Sequence, residues 1–288
     1  MPVLTQTAGA ERCLFGPCTG LPYFTHHMRA KKSYGQHFLT NETITQRIAD
    51  SLVRTAEYDR VVEIGPGQGM LTKYLLKKDY ELFAVEADWD MVEFLWANYP
   101  QLTDNLIKAN FLKVDLEEYV GDGQFGLIGN FPYNISSQIL FRLLEYRAQI
   151  PEMVGMFQKE VADRVVSPPG NKTYGVISVL VQAYYAPTYL FTVKAGNFNP
   201  PPKVQSAVIR LTRRENFELG CDPKLFKQVV KQAFLQRRKM LRNTMKAFLA
   251  GSERLKDPFF EQRPERLGVA EFVRVTNWVA EHRAAQND

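Results

Sequence analysis

Apolar residues recur about every four positions from residue 41, with Ile44, Ile48 and Leu52 following Thr40 and Asn41. This spacing predicts a helix capped by one of those two polar residues. The β-branched run RVVEI (60–64) then breaks into the glycines of EIGPGQG, and helical MLTKYLLKK and a second apolar strand, ELFAVEAD, follow. Strand, glycine loop, helix and strand make half of a nucleotide-binding α/β fold. The alternation continues through helix WDMVEFLWANY, strands NLIKAN and FGLIGNF, helix SSQILFRLLEY and strand PEMVGMFQ. Such regularity predicts a largely parallel, doubly wound, Rossmann-like sheet.

Beyond it the pattern loosens. SPPGNKTYG (167–175) is rich in turn formers, and PTYLFTVKAGNFNPPPKVQSAVIRLTR reads as two strands bracketing Pro200–Pro202. Polar composition around RRENFELGCDPK marks a domain boundary near residue 215. A helix then starts with Asp222 as N-cap and Pro223 in its first turn, carrying Phe226, Val230 and Phe234 on one side. The expected organisation is an α/β domain over 31–215 and a small all-helical domain over 216–288. Residues 1–30 are expected to be a disordered extension outside the fold: the first 27 lack periodicity, and Met28 opens MRAKKSYGQHFL in the manner of a natural start.

Composition narrows the function. With 288 residues, 45% of them hydrophobic, the chain can bury a sizeable core. It has no uninterrupted apolar run of eighteen, so a soluble protein without a membrane span is expected. Cys13, Cys18 and Cys221 are too few and scattered for a disulfide framework or a metal knuckle, which fits a reducing cytoplasm and no metal. The charge of +5 is concentrated: between Asp222 and Ala250 eight Lys or Arg face one acid, a net +7, leaving the rest of the chain at −2. Basicity gathered in one segment points to a polyanion contact surface, whereas an ordinary charge run is a solvated helix face.

The glycine loop offers Gly65, Gly67 and Gly69, which let backbone approach a ligand without a Cβ in the way. It departs from the dinucleotide pattern at Met70. Glu86 ends the next strand 21 residues after Gly65, where a carboxylate can accept both hydroxyls of a ribose, so an adenosine-containing cofactor is expected. Asn130, Phe131, Pro132 and Tyr133 end a later strand at the edge where such folds bind ligands. Alone they read as a strand-ending turn. For an adenine amine, whose lone pair is delocalised into the ring, they read as chemistry. The Asn130 oxygen and a carbonyl beside Pro132 would accept its hydrogens and favour a pyramidal nitrogen, and Tyr133 would stack on the base.

Six segments in order, YGQHFL (34–39), VVEIGPGQGMLT (61–72), NFPYNIS (130–136), FQKEVADRVVSPPGNKTYG (157–175), FNPPPKVQSAV (198–208) and FLQRRKMLRNTM (234–245), resemble the bacterial small-subunit ribosomal RNA adenine dimethyltransferases. The resemblance implies an S-adenosylmethionine-dependent methyltransferase fold acting on N6 of two adjacent adenosines in a hairpin near the 3′ end of small-subunit ribosomal RNA. It implies a cytoplasmic enzyme whose partner is that RNA or the small-subunit precursor, and nothing suggests more than a monomer. His37, Leu39, Gly65, Glu86, Asn110 and Asn130 become the candidate cofactor residues. Asn130, Pro132, Tyr133 and Phe198 become the catalytic set, with Phe198 facing Tyr133 across a flipped adenine, which must leave its stack to be reached. Arg237, Arg238, Lys239 and Arg242 become the RNA contacts. The chain departs from the family in His37 for the usual Asn, Asn110 for Asp, and Phe131 for Leu, the last predicting a narrower pocket around a monomethylated nitrogen. Two readings compete with it: a large-subunit methyltransferase of the antibiotic-resistance type, and an RNA-binding assembly factor without catalysis.

Overall fold

The computed structural model describes residues 36–287. The extension expected over 1–30, with Cys13 and Cys18, lies outside the described residues, as do Tyr34 and Gly35 of the first motif.

A seven-stranded sheet carries the fold. Its strands are β2 (Arg60–Ile64), β3 (Glu81–Glu86), β4 (Leu106–Lys108), β5 (Phe125–Asn130), β6 (Glu152–Gln158), β7 (Tyr185–Val193) and β9 (Ser206–Arg213), in the order β4-β3-β2-β5-β6-β9-β7. Strands β2 to β6 are mutually parallel, while β9 runs antiparallel to both β6 and β7. The two late strands are a hairpin joined through the proline-rich connection, so no helical crossover reverses the chain and they must pair antiparallel. A separate two-residue ladder, β1 (Phe38–Leu39) with β8 (Phe198–Asn199), was not foreseen.

Successive strand residues face opposite sides. Val61, Ile128 and Met156 join Ile48 and Leu95 in one core, whereas Val62, Leu127 and Phe157 join Ile139 and Leu143 in the other. The first face is covered by α1 (Glu42–Ala49), the short α2 (Thr72–Leu75) and α3 (Trp89–Asn98); the second by α4 (Glu117–Val120), α5 (Ser136–Glu145), α6 (Lys159–Val166) and α7 (Val176–Gln182). Of the two predicted caps for α1, Asn41 does the work, its Oδ1 accepting from Ile44 N at 3.0 Å. A buried acid ties β6 to the start of the sheet: the Glu152 carboxylate accepts from the N–H groups of Val53 and Arg54 and from the Tyr58 hydroxyl.

Between Arg213 and Pro223 there is neither helix nor strand; then α8 (Pro223–Phe234), α9 (Leu241–Leu249) and α10 (Val269–Asn287) follow with short 3-10 turns between the last two. Asp222 caps α8 as expected, accepting from Leu225 N at 2.6 Å. Phe226 and Val230 are buried, and Phe234 packs edge-on to Tyr174 and tilted against Phe272. This helical end shares one continuous core with the second sheet face.

Candidate active site

The carboxyl ends of β2, β3 and β5 border a cavity of about 300 Å³, a size at the lower end for small-molecule sites. The glycine loop after β2 forms its floor. Gly69 has φ +74°, and a Cβ there would fall inside the Tyr99 ring, whose hydroxyl donates to the Gly69 carbonyl at 3.1 Å. Only glycine meets both conditions.

Glu86 is 6% exposed and held by three backbone donors. Its Oε2 accepts from Gly67 N at 3.1 Å, and its Oε1 accepts from Ala87 N and Asp88 N, each at 2.9 Å. Burial raises its pKa and those three N–H groups oppose the rise. With about four acceptor sites on a carboxylate, one remains open for a ligand hydroxyl, fewer than the two expected from the sequence. Glu63, one strand over, also lines the cavity and is 1% exposed. Burial, helped by the neighbouring Glu86 carboxylate, pushes it up to about 8 against the opposing hydrogen bond from Thr72 at 2.6 Å. Its place in EIGPGQG was visible in the sequence, but its burial was not.

Asn130 ends β5 with its amide already oriented. Its Nδ2 donates to the His37 carbonyl at 3.0 Å, which fixes which end is nitrogen and leaves Oδ1 as the acceptor. The His37 ring in turn donates from Nδ1 to the Pro200 carbonyl at 2.8 Å and stacks on Tyr133, with centroids 5.4 Å apart and planes at 29°. The Tyr133 hydroxyl bonds the Ser206 Oγ. Burial pushes the Tyr133 phenol above its usual range and the Ser206 bond pulls it partly back.

The structure brings His37, Leu39, Gly65, Glu86, Asn110, Asn130, Pro132 and Tyr133 to one cavity wall. Phe198 is not on it. At 4% exposure it is buried beside Leu39 in the β1–β8 ladder, and the ring lying on Tyr133 is His37. Asn110 stands at the exposed rim with its Oδ1 accepting from Leu112 N at 2.9 Å, so the expected acceptor is already partly engaged. Phe131 lines the cavity, with most of its ring turned into the core. It is 1% exposed, packs edge-on to Phe157 at 5.0 Å, and sits where Gly129 and Gly155 leave room; a Cβ on Gly129 would lie 2.7 Å from its ring.

The four predicted RNA cations divide into two pairs. Arg237 donates to the Asn171 carbonyl at 3.2 Å and lies 3.9 Å from Glu265, bridging the 167–175 loop to the helical end. Arg242 pairs with Glu261 at 3.4 Å. Arg238 and Lys239 are exposed, and among the described residues their side chains enter no ion pair or hydrogen bond. A second cleft of about 690 Å³ opens beside Arg237, but its Arg164 is paired with Glu160 at 2.5 Å. Among the described residues no group of three His, Cys, Asp or Glu is placed to hold a metal ion, and no helix is long and apolar enough to cross a membrane.

Residues 27–281 match the sequence profile of the family described as ribosomal RNA adenine dimethylase. A protein of Flavobacterium johnsoniae named ribosomal RNA small subunit methyltransferase A is 53% identical over 249 residues, covering 86% of this chain and 95% of the relative. A Bacteroides fragilis protein of the same name is 51% identical over 253 residues, covering 88% and 93%. Among solved structures, a dimethyladenosine transferase from Plasmodium falciparum is similar in fold, with a TM-score of 0.71 at 24% identity over 85% of this chain and 98% of that one.

Proposed function

The chain belongs to the ribosomal RNA adenine dimethylase family, and from that premise we propose how its cavity works. The protein is an S-adenosylmethionine-dependent methyltransferase that dimethylates N6 of adenosines in small-subunit ribosomal RNA. Our reading of the substrate is two adjacent adenosines in a hairpin near the 3′ end, with the methyltransferase domain over 31–215 and the RNA-facing helical domain over 216–288.

The residues present suit the cofactor. The glycine loop offers backbone with no Cβ, Glu86 retains an acceptor site, and Glu63, held protonated by its burial, borders the same space without adding a second charge. When bound, S-adenosylmethionine supplies an electrophilic methyl group. The chain's own part is orientation. The observation that carries this reading is the Asn130 amide, turned by its bond to the His37 carbonyl so that Oδ1 is the free acceptor. Aimed at an adenine N6 hydrogen, that oxygen draws the nitrogen lone pair out of conjugation without removing a proton, and the dipole is in place before the reaction begins. Pro132 fixes the backbone beside it and adds no competing N–H. Tyr133 provides the stacking face. Leu39 and His37 cover the cofactor side, and Arg238 and Lys239 hold phosphates.

In our reading the protein acts as a monomer, in the cytoplasm, during small-subunit assembly. The test is methyl transfer from labelled S-adenosylmethionine to small and large subunits from cells lacking these modifications, with mapping of the product. Label as N6-dimethyladenosine at two adjacent small-subunit positions is the expected result. Label in the large subunit, or RNA binding with no label, overturns the proposal.

A further inference from the structure

The Tyr133–Ser206 bond joins parts of the chain 73 residues apart, and its two ends are supported very differently. Tyr133 stands on a single 3-10 turn, Tyr133–Ile135. Ser206 is fully buried and opens β9, registered against Gln158 of β6 on one side and Val193 of β7 on the other. The preceding residue is pinned as well, Gln205 O accepting from Lys159 N at 2.9 Å. Ser206 is therefore mounted in the interior of the sheet. Around it β9 reads AVIRL, and a hydroxyl among such neighbours costs free energy unless it is hydrogen-bonded. Among the described residues the Tyr133 hydroxyl is the partner its Oγ has.

We propose that Ser206 is a positioning residue for the methyl-accepting adenine, acting through Tyr133, whose ring plane it fixes. This rests on the reading of Tyr133 as the surface on which the base stacks. The Tyr133 ring is stacked on one side by His37, against which it can still slide and tilt about its side-chain torsions; tied at its hydroxyl as well, it keeps one plane. The plane sets where N6 lies relative to the Asn130 oxygen, and a misplacement of about 1 Å can cost on the order of a hundredfold in rate.

The two methyl transfers depend on that plane unequally. An unmodified N6 carries two hydrogens for two acceptors. After the first transfer one hydrogen remains, so one acceptor loses its donor and the stack bears more of the orientation. Loosening Tyr133 therefore slows the second transfer more than the first, and monomethylated product accumulates.

The experiment uses the full chain, small subunits lacking the modification, and the variants Ser206→Ala, Tyr133→Phe, the double variant and Ser206→Thr. Each single removal is expected to lower kcat about tenfold and raise the share of N6-monomethyladenosine, with little change in KM for the subunit or in calorimetric affinity for S-adenosylhomocysteine. The double variant should be no worse than either single one, because both delete the same bond. Ser206→Thr, which keeps the hydroxyl, should restore most of the rate. If Ser206→Ala does not fold, Tyr133→Phe removes the bond from the cavity side and must by itself slow turnover and shift the product ratio. Wild-type rates and product ratios in the single variants overturn the inference, as do losses that multiply in the double variant. A wild-type chain that transfers no methyl group to small subunits instead overturns the function proposed above.

Discussion

The end of β5 and the turn between α8 and α9 are both rich in polar groups, yet they are built in opposite ways. At Asn130–Tyr133 the polar side chains are bonded to protein: the Asn130 amide to the His37 carbonyl, the Tyr133 hydroxyl to Ser206. At Arg238 and Lys239 the cations stand exposed and uncommitted among the described residues. On the proposed function, the contrast matches what each region would meet. Stabilising a developing charge needs dipoles already aimed, since reorienting them during the reaction adds to the barrier. Neutralising phosphates needs only that charge be nearby and free to exchange for counterions. Arg237 and Arg242 share the tail's sequence signature but fall on the fixed side of this division.

Removing the aimed dipole gives the largest effect. Asn130→Ala is expected to lower kcat by on the order of 10²–10³, with RNA affinity measured by filter binding nearly unchanged; a parallel loss of binding would erase the distinction between the two regions. Next comes the burial that makes the fixed region possible. Glu63 takes up a proton far more readily folded than unfolded, with its pKa raised from 4.5 to about 8. Through that window the unfolded chain has released the proton while the folded one keeps it, so stability falls as pH rises from about 4.5 to 8, by on the order of several kcal/mol. Thermal melts of Glu63→Gln should show a flatter dependence over the same window.

The free cations should matter less, and in a different currency. Arg238→Ala with Lys239→Ala is expected to weaken RNA binding roughly tenfold and reduce the slope of log affinity against log salt by about 1.5–2. Arg237→Ala should lower the melting temperature while moving that slope little, because its guanidinium bridges Asn171 and Glu265. Equal slopes for the two variants would mean that Arg237 also meets phosphate. The effect furthest from function is a packing one. Gly155→Ala puts a methyl into the Phe131 and Phe157 rings and should cost about 1–3 kcal/mol in denaturant unfolding.

Legibility in the sequence followed the same divide. Features set by local geometry were readable: the Asp222 cap, the α1 cap to within Thr40 or Asn41, the glycine loop, and Glu86 at the spacing that one strand, helix and strand require. The parallel half of the sheet was readable because βα alternation leaves few other arrangements. Contacts between distant segments were not. Nothing near Phe38 or Phe198 announces that they meet in a ladder, so the pattern gave no sign that Phe198 would be buried there and His37 laid on Tyr133. Helices α6 and α7 escaped because each is short: α6 (KEVADRVV) runs straight on from a strand, and α7 (VISVLVQ) is a nearly continuous apolar run whose periodicity does not tell helix from strand. The two kinds of arginine in QRRKMLR are alike in sequence; partners in the 167–175 loop and the later turns separate them.

The β1–β8 ladder also sets an order of events. Thr40 and Asn197, bonded through backbone and side chain, are separated by 157 residues, and closing so long a loop is an entropic cost met only after the intervening sheet exists. A nascent chain that has emerged only as far as β6 already owns the glycine loop, Glu86 and Asn130. It still lacks the segment that seats His37 and the serine that steadies Tyr133. A chain stopped short of residue 198 lacks β8 and β9, and with them the Pro200 carbonyl that takes the His37 ring, the Ser206 hydroxyl that bonds Tyr133, and the strand that joins β7 to the sheet.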